Sequence, residues 1–175
     1  GDAARGGNRG GAFARACMVL AMADLDEALT MYDAALADAH QHGSISGFAA
    51  TKVFRAQAFL FRGDLAEAEA DSREALDACR AWGLQLLDAF RFVSAEALME
   101  RGKLAEAAPV LEPARPDESM AEDVALYFLR HSRARLRLLQ GDLAAGLEAM
   151  LDVGARFERS GGRNPALLPW RSHAA

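Results

Sequence analysis

The side chains able to do chemistry in this chain are few, and their spacing gathers none of them into a reactive set. His40 and His42 stand two positions apart, which on a helix turns them about 200° away from each other, so they cannot share one metal face. No third ligand follows within reach, and His131 and His173 read as isolated. Cys17 and Cys79 lie outside any close-spaced metal or redox pattern and read as small buried hydrophobes. No Ser, His and Asp set and no close carboxylate pair rises above what a surface helix carries. The expectation is a non-enzymatic chain with no catalytic residue, no metal ligand and no cofactor. Arg130, Arg133 and Arg137 fall at helical spacing, with Arg135 on a neighbouring face, and such a row can receive an acidic partner or a phosphorylated ligand. The favoured reading is a solvated stripe pairing with Glu96, Glu100 or Glu122 of adjoining helices, the usual fate of surface charge.

The elements that position these residues are set by a repeated joint. Arg62, Gly63, Asp64, Leu65, Ala66, Glu67, Ala68 is echoed by Ala23 to Ala28, by Arg101 to Ala107 and by Gln140 to Gly146. The anchoring leucines, Leu25, Leu65, Leu104 and Leu143, are 40, 39 and 39 residues apart, and a fixed period of this size means stacked repeats. Glycine after an apolar helical run ends one helix in the left-handed conformation, and the aspartate after it can cap the next by accepting from exposed amides. Small residues follow each leucine at +3 (Ala28, Ala68, Ala107, Gly146) and mostly at +10 (Ala35, Ala75, Ala114, with Val153 last), where they let two helices approach closely.

Composition agrees. The 175 residues are 51% hydrophobic, rich in Ala, Leu, Glu and Arg and poor in β-branched side chains, as all-helical chains are. A net charge of −5 argues against this segment being a nucleic-acid contact. No apolar run is long enough to span a bilayer and no secretory leader is present, so the expected location is cytoplasmic.

Taken in order, residues 1–11 hold five glycines and read as a flexible leader or cloning remnant. A helical repeat domain is expected over 12–175, with pairs at about 12–43, 46–83, 84–116 and 119–161 and the start of a further helix at 164–175. In the second pair Phe48, Phe54, Phe59 and Phe61 supply most of the apolar bulk of the first helix and make that pair the most firmly packed. Pro109, Pro113 and Pro116 predict a short or kinked second helix in the third pair, followed by an extended connector. Ser119 and Glu122 form a capping box for the next helix, whose face carries Ala125, Leu129, Ser132, Leu136 and Leu139. Asn164 followed by Pro165 predicts a final helix start, and a helix begun this close to the end reads as part of something longer.

The joints with alanines at +3 and +10 resemble tetratricopeptide repeats, whose usual period is about 34. The longer helices here are similar to the repeat region of the large ATP-binding LuxR-type transcriptional regulators, the group related to the bacterial maltose activator. Three stretches carry that likeness: Arg62 to Gly83; Arg133 to Gly141, reading Arg-Ala-Arg-Leu-Arg-Leu-Leu-Gln-Gly; and Gly162 to Ser172, reading Gly-Arg-Asn-Pro-Ala-Leu-Leu-Pro-Trp-Arg-Ser. The resemblance implies an all-α, right-handed superhelical array of antiparallel helix pairs, a solenoid of about four pairs plus the start of a fifth. It also implies a sensor segment that binds a small-molecule inducer or a protein or peptide partner, between an upstream ATPase and a downstream helix-turn-helix module. No Gly-rich loop ending in Gly-Lys-Ser/Thr and no basic recognition helix occurs in this chain, so nucleotide and DNA contacts fall to those modules.

Arrays of this kind bind on the concave side, lined by the first helix of each pair. In the tetratricopeptide register that surface includes Phe13, Val53, Gln57, Leu60, Phe92, Glu96, Met99, Phe128, His131 and Arg135, a mixture suited to a small ligand or an amphipathic peptide. The same residues could equally be inter-helix core. The alternative function is a free-standing scaffold holding a peptide in its groove. A further expectation is a homodimer through the apolar surface of the terminal helix around Trp170.

Overall fold

A computed structural model of the protein describes residues 26–84, 91–112, 124–165 and 167–175. All of their regular secondary structure is helical: α1 Glu27–Gln41, α2 Ile45–Arg62, α3 Leu65–Trp82, α4 Arg91–Glu100, α5 Leu104–Leu111, α6 Val124–Leu139, α7 Leu143–Arg159 and α8 Trp170–Ala174. The chain divides into two compact units, residues 1–88 and 89–175. In the first, α2 packs against both α1 and α3; in the second, α4 pairs with α5, both touch α6, and α7 packs against α6 and α8. The expected first helix from Ala12, with Phe13 and Cys17, and the capping box at Ser119 and Glu122 lie outside the described residues.

The joints close in one way. At Gly63 and Asp64 the amides return to the carbonyls of Leu60 and Phe59, and the same pair of bonds recurs at Gly102 and Lys103 and at Gly141 and Asp142. This satisfies carbonyls that the helix end leaves open. Gly63 has φ of +81° and a Cβ placed on it would meet nothing within 4 Å, so the backbone conformation and not crowding requires glycine there. The aspartates behave less uniformly than expected. Asp142 accepts from the Ala145 amide at 3.4 Å, whereas Asp64 makes no side-chain cap and turns to Arg62 Nε, 3.5 Å away. The charged neighbour competes for the carboxylate, and the helix start goes without it.

Helix contacts rest on the small residues. Ala28, Ala68 and Ala107 are essentially inaccessible, and so is Gly146, where an added Cβ would stand 2.7 Å from Leu138 Cδ2 and 3.0 Å from the Leu138 amide nitrogen. The phenylalanines of α2 are a correction. Phe48, Phe54 and Phe59 are half-buried and Phe61 is 46% exposed, while Ala49, Val53, Ala56 and Ala58 form the buried face together with Lys52 and Gln57. Between α1 and α2 the ring that fills the contact is Tyr32 of α1, buried with Ala28 and Ala58, and Phe54 packs against that cluster.

α5 is short, as its proline predicts: Pro109 sits inside it and Glu112 is extended with ψ of 131°. Two arginines reach its open end, Arg91 Nη1 donating to the Glu112 carbonyl at 2.7 Å and Arg133 Nε to the Leu111 carbonyl at 2.9 Å. The last helix is a second correction. It begins at Trp170 after Pro169, not at Pro165, because Pro169 disfavours helical backbone in the residue before it and has no amide to donate. Residues 161–165 and 167–169 run to it without helix. Leu168 is buried among Tyr127, Val153 and Phe157, and the Trp170 ring lies on Gly154, close enough that a Cβ there would stand 2.3 Å from it.

Candidate functional site

In the second unit a cluster of polar and aromatic side chains forms around Glu96 of α4. Helix α6 supplies most of its partners, because Phe128, His131, Ser132 and Arg135 follow one another at spacings of three, one and three and so share one face. Ser132 Oγ donates to Glu96 Oε1, Arg135 Nη1 donates to Glu96 Oε2, and Arg135 Nη2 donates to Glu100 at 2.5 Å. His131 Nδ1 lies 3.8 Å from Glu96 Oε1. Beside them the rings of Phe92 and Phe128 stack with centroids 5.0 Å apart and planes 17° from parallel. Behind His131, its Nε2 is 3.0 Å from Nδ1 of His173 on α8.

The electrostatics follow from that packing. Burial pushes the Glu96 carboxyl up, but His131, the charge of Arg135 and the Ser132 hydroxyl together hold it below its ordinary value. Burial likewise works against the Arg135 cation, and Glu96 and Glu100 more than offset it. His173 is held below its ordinary value by burial, then by His131 and Arg135, against the opposing pull of Glu96 and Glu100.

The first unit carries an ionic node of its own. Asp71 of α3 accepts from Lys52 Nζ at 2.6 Å and from Arg55 Nε at 2.6 Å, both on α2. Lys52 also reaches Glu74 at 2.8 Å, and Arg55 pairs with Asp33 of α1. Asp71 and Lys52 keep only 7% and 11% of their side-chain surface exposed, so the node joins α2 and α3 from inside, while its link to α1 runs through the exposed Asp33. Lys52 lies over the Phe48 ring and Arg55 over the Phe59 ring, each 5.7 Å from the centroid, which accounts for the flanking rings of α2.

The residues expected to line a groove are thus distributed as follows. Phe13 lies outside the described residues. Val53 and Gln57 are buried on α2 and Leu60 is half-buried. Phe92, Met99 and His131 are buried, and Glu96, Phe128 and Arg135 half-buried. Phe92 meets Phe128, and Glu96 meets His131 and Arg135, so these five make inter-helix contacts. Of the arginine row, Arg135 pairs with Glu96 and Glu100 as the solvated-stripe reading supposes, Arg133 holds the end of α5, and Arg137 is exposed.

Sequence reasoning missed His173, Ser132 and the Lys52–Arg55–Asp71 node. His131 and His173 are not isolated but adjacent across 42 residues. A usable signal existed for part of this. Glu96 and Arg135 are one repeat period, 39 residues, apart, and Lys52 and Asp71 about half a period, 19 residues.

Among the described residues no group of three or more His, Cys, Asp or Glu side chains gathers as metal ligands, and no helix is long and apolar enough to cross a membrane. Comparison with protein-family models, curated proteins and solved structures found no match.

Proposed function

We propose that the chain is an effector- or partner-binding segment of a large LuxR-type transcriptional regulator, non-catalytic in itself, whose helix pairs stack as a right-handed superhelical array in the cytoplasm. Flanking ATPase and helix-turn-helix modules would bring the nucleotide and DNA contacts, and this segment would restrain or release them. The reading draws on the three stretches that resemble such regulators.

The observation that carries it is the pairing of Glu96 with Arg135 across one repeat period, beside the stacked Phe92 and Phe128. Equivalent positions of successive repeats meet in a buried polar and aromatic cluster. Stability alone does not call for such a cluster, because well-packed apolar residues of similar volume do as well or better than buried ion pairs. An effector that binds one arrangement of α4 and α6 more tightly than another shifts the population between them. The test is hydrogen exchange of the 175-residue chain against a panel of small-molecule inducers. Protection that changes around Glu96 and Arg135 supports the reading, and no change with any inducer removes it.

A second reading, a scaffold for a helical peptide, is favoured by Leu143, Leu147 and Leu151. They stand four apart on α7 with 66%, 39% and 48% of their surfaces exposed, the spacing an amphipathic helix would meet. Protection confined to α7 on adding amphipathic helical peptides would favour it over the first.

A further inference from the structure

Residues 167–174 lie on α6 and α7 through contacts of different kinds. Leu168 is 1% exposed within the Tyr127, Val153 and Phe157 cluster. Trp170 covers Gly154. Arg171 pairs with Glu158 of α7 and lies over the Trp170 ring at 4.5 Å. A further contact is the imidazole pair, His173 Nδ1 to His131 Nε2 at 3.0 Å. Apolar contacts do not respond to pH, whereas imidazole is the side-chain type whose charge ordinarily changes between about pH 5 and 8.

Two facing ring nitrogens share one hydrogen. When both rings are neutral, one nitrogen donates and the other accepts. One extra proton leaves that bond in place, since a singly charged pair still has one N–H and one lone pair between the rings. A second extra proton sets N–H against N–H at 3.0 Å, and the contact becomes repulsive. The groups facing the pair do not remove this limit. Glu96 and Glu100 on α4 favour charge there, while Arg135 on α6 opposes it and engages both carboxylates. The docked pair therefore holds one proton where the separated rings hold two, and linkage makes separation rise as pH falls.

We propose that the His131–His173 contact is a proton-operated latch on residues 167–174: closed when at least one ring is neutral, open when both are charged, with opening uncovering Leu168 and Trp170. The latch acts whether or not the segment serves as an effector sensor. Within a regulator it would couple acidification to the exposure of an apolar surface on α6 and α7.

Hydrogen exchange of the 175-residue chain at pH 7.5 and 5.0, with labelling times corrected for intrinsic rates, tests this. The amides of Trp170 and His173, bonded to the Leu168 and Pro169 carbonyls, should open at least about tenfold more at pH 5.0, a tenfold change corresponding to one pH unit of unequal proton uptake, while α6 and α7 stay protected. In His173→Asn the side-chain amide can donate to a neutral His131 ring or, after flipping, accept from a charged one, so the segment should stay docked at both pH values. Emission of Trp170 in a Trp82→Phe background, red-shifting at pH 5.0 in the parent and not in His173→Asn, gives a second readout. Equal protection at the two pH values, equal release in His173→Asn, or loss of α6 and α7 protection together with the segment would each overturn the latch.

Discussion

At the scale of single residues, close approach and buried charge dominate over the polar groups that first attract notice. Gly146 replaces the alanine found at the equivalent positions 28, 68 and 107, and its surroundings explain why: Leu138, backbone included, fills the space of a Cβ. Gly146→Ala gains about 1 kcal/mol of helix propensity but forces overpacking that costs about 1–3 kcal/mol. A lower urea midpoint is the expected result, and a higher one would mean that Leu138 moves aside freely. The ionic nodes make a sharper contrast. Asp71→Asn leaves Lys52 and Arg55 facing a neutral group in a buried setting and should cost about 3–5 kcal/mol. Asp152→Asn breaks an equally short pair with Arg156, at 2.7 Å, but that pair is half exposed and the change should stay within about 0.5 kcal/mol. Similar losses for the two variants in denaturant titrations would contradict the assignment of Asp71 to a buried node. The +3 alanines were legible because glycine and alanine at a fixed offset have one structural use. The nodes were not, because whether Lys52 meets Asp71 depends on which faces of α2 and α3 meet, and periodicity leaves that open.

At the scale of elements, the joints and the helices they separate could be read from sequence almost to the residue. Leu65–Trp82 and Leu143–Arg159 begin at the repeated leucines and end before glycines, and each boundary follows from local chemistry alone. Errors came where two local signals competed. Asn164 and Pro165 carry a good helix-start signature, yet Pro169 four residues on overrules it. The four phenylalanines of α2 supply apolar bulk without forming its buried face: Phe48 and Phe59 lie beside Lys52 and Arg55, and Phe54 packs against the Ala28, Tyr32 and Ala58 cluster. Pro109 is the converse case, a local rule that the structure obeys, and it yields a prediction. The side chain at 109 is exposed, so Pro109→Ala loses little packing and supplies an amide able to bond the Ala105 carbonyl. Stabilisation of up to about 3 kcal/mol is expected, together with slower exchange in α5. An unchanged midpoint would show that the end of α5 is set by Arg91 and Arg133 and not by the proline.

At the scale of the whole molecule, the repeat period was legible and its consequences for contact only partly so. The all-helical composition and the 39-residue step announce a chain of helix pairs, but the meeting of His131 with His173 needs the turn of the chain after α7, which no period specifies. Among the described residues, His173 and Glu96 each contribute a response to acid. The His173 imidazole is held below 6.5, so on acidification the unfolded chain takes up this proton first; stability is full above about pH 6.5 and falls as pH drops toward the folded value. The Glu96 carboxyl is held below 4.5, so its contribution is full above about pH 4.5 and is lost as pH falls through the folded value. Both signs agree, and unfolding free energy measured by urea titration from pH 8 to 3 should be flat, then decline in two steps. His173→Asn should remove the upper step and leave the lower. Glu96→Gln should lower the plateau by about 3 kcal/mol or more, since it leaves the Arg135 cation partly unpaired in a buried site, and should flatten the lower step. Stability that rises between pH 6.5 and 5 in the parent chain would reverse the sign assigned to His173 and with it the closed state of the imidazole pair.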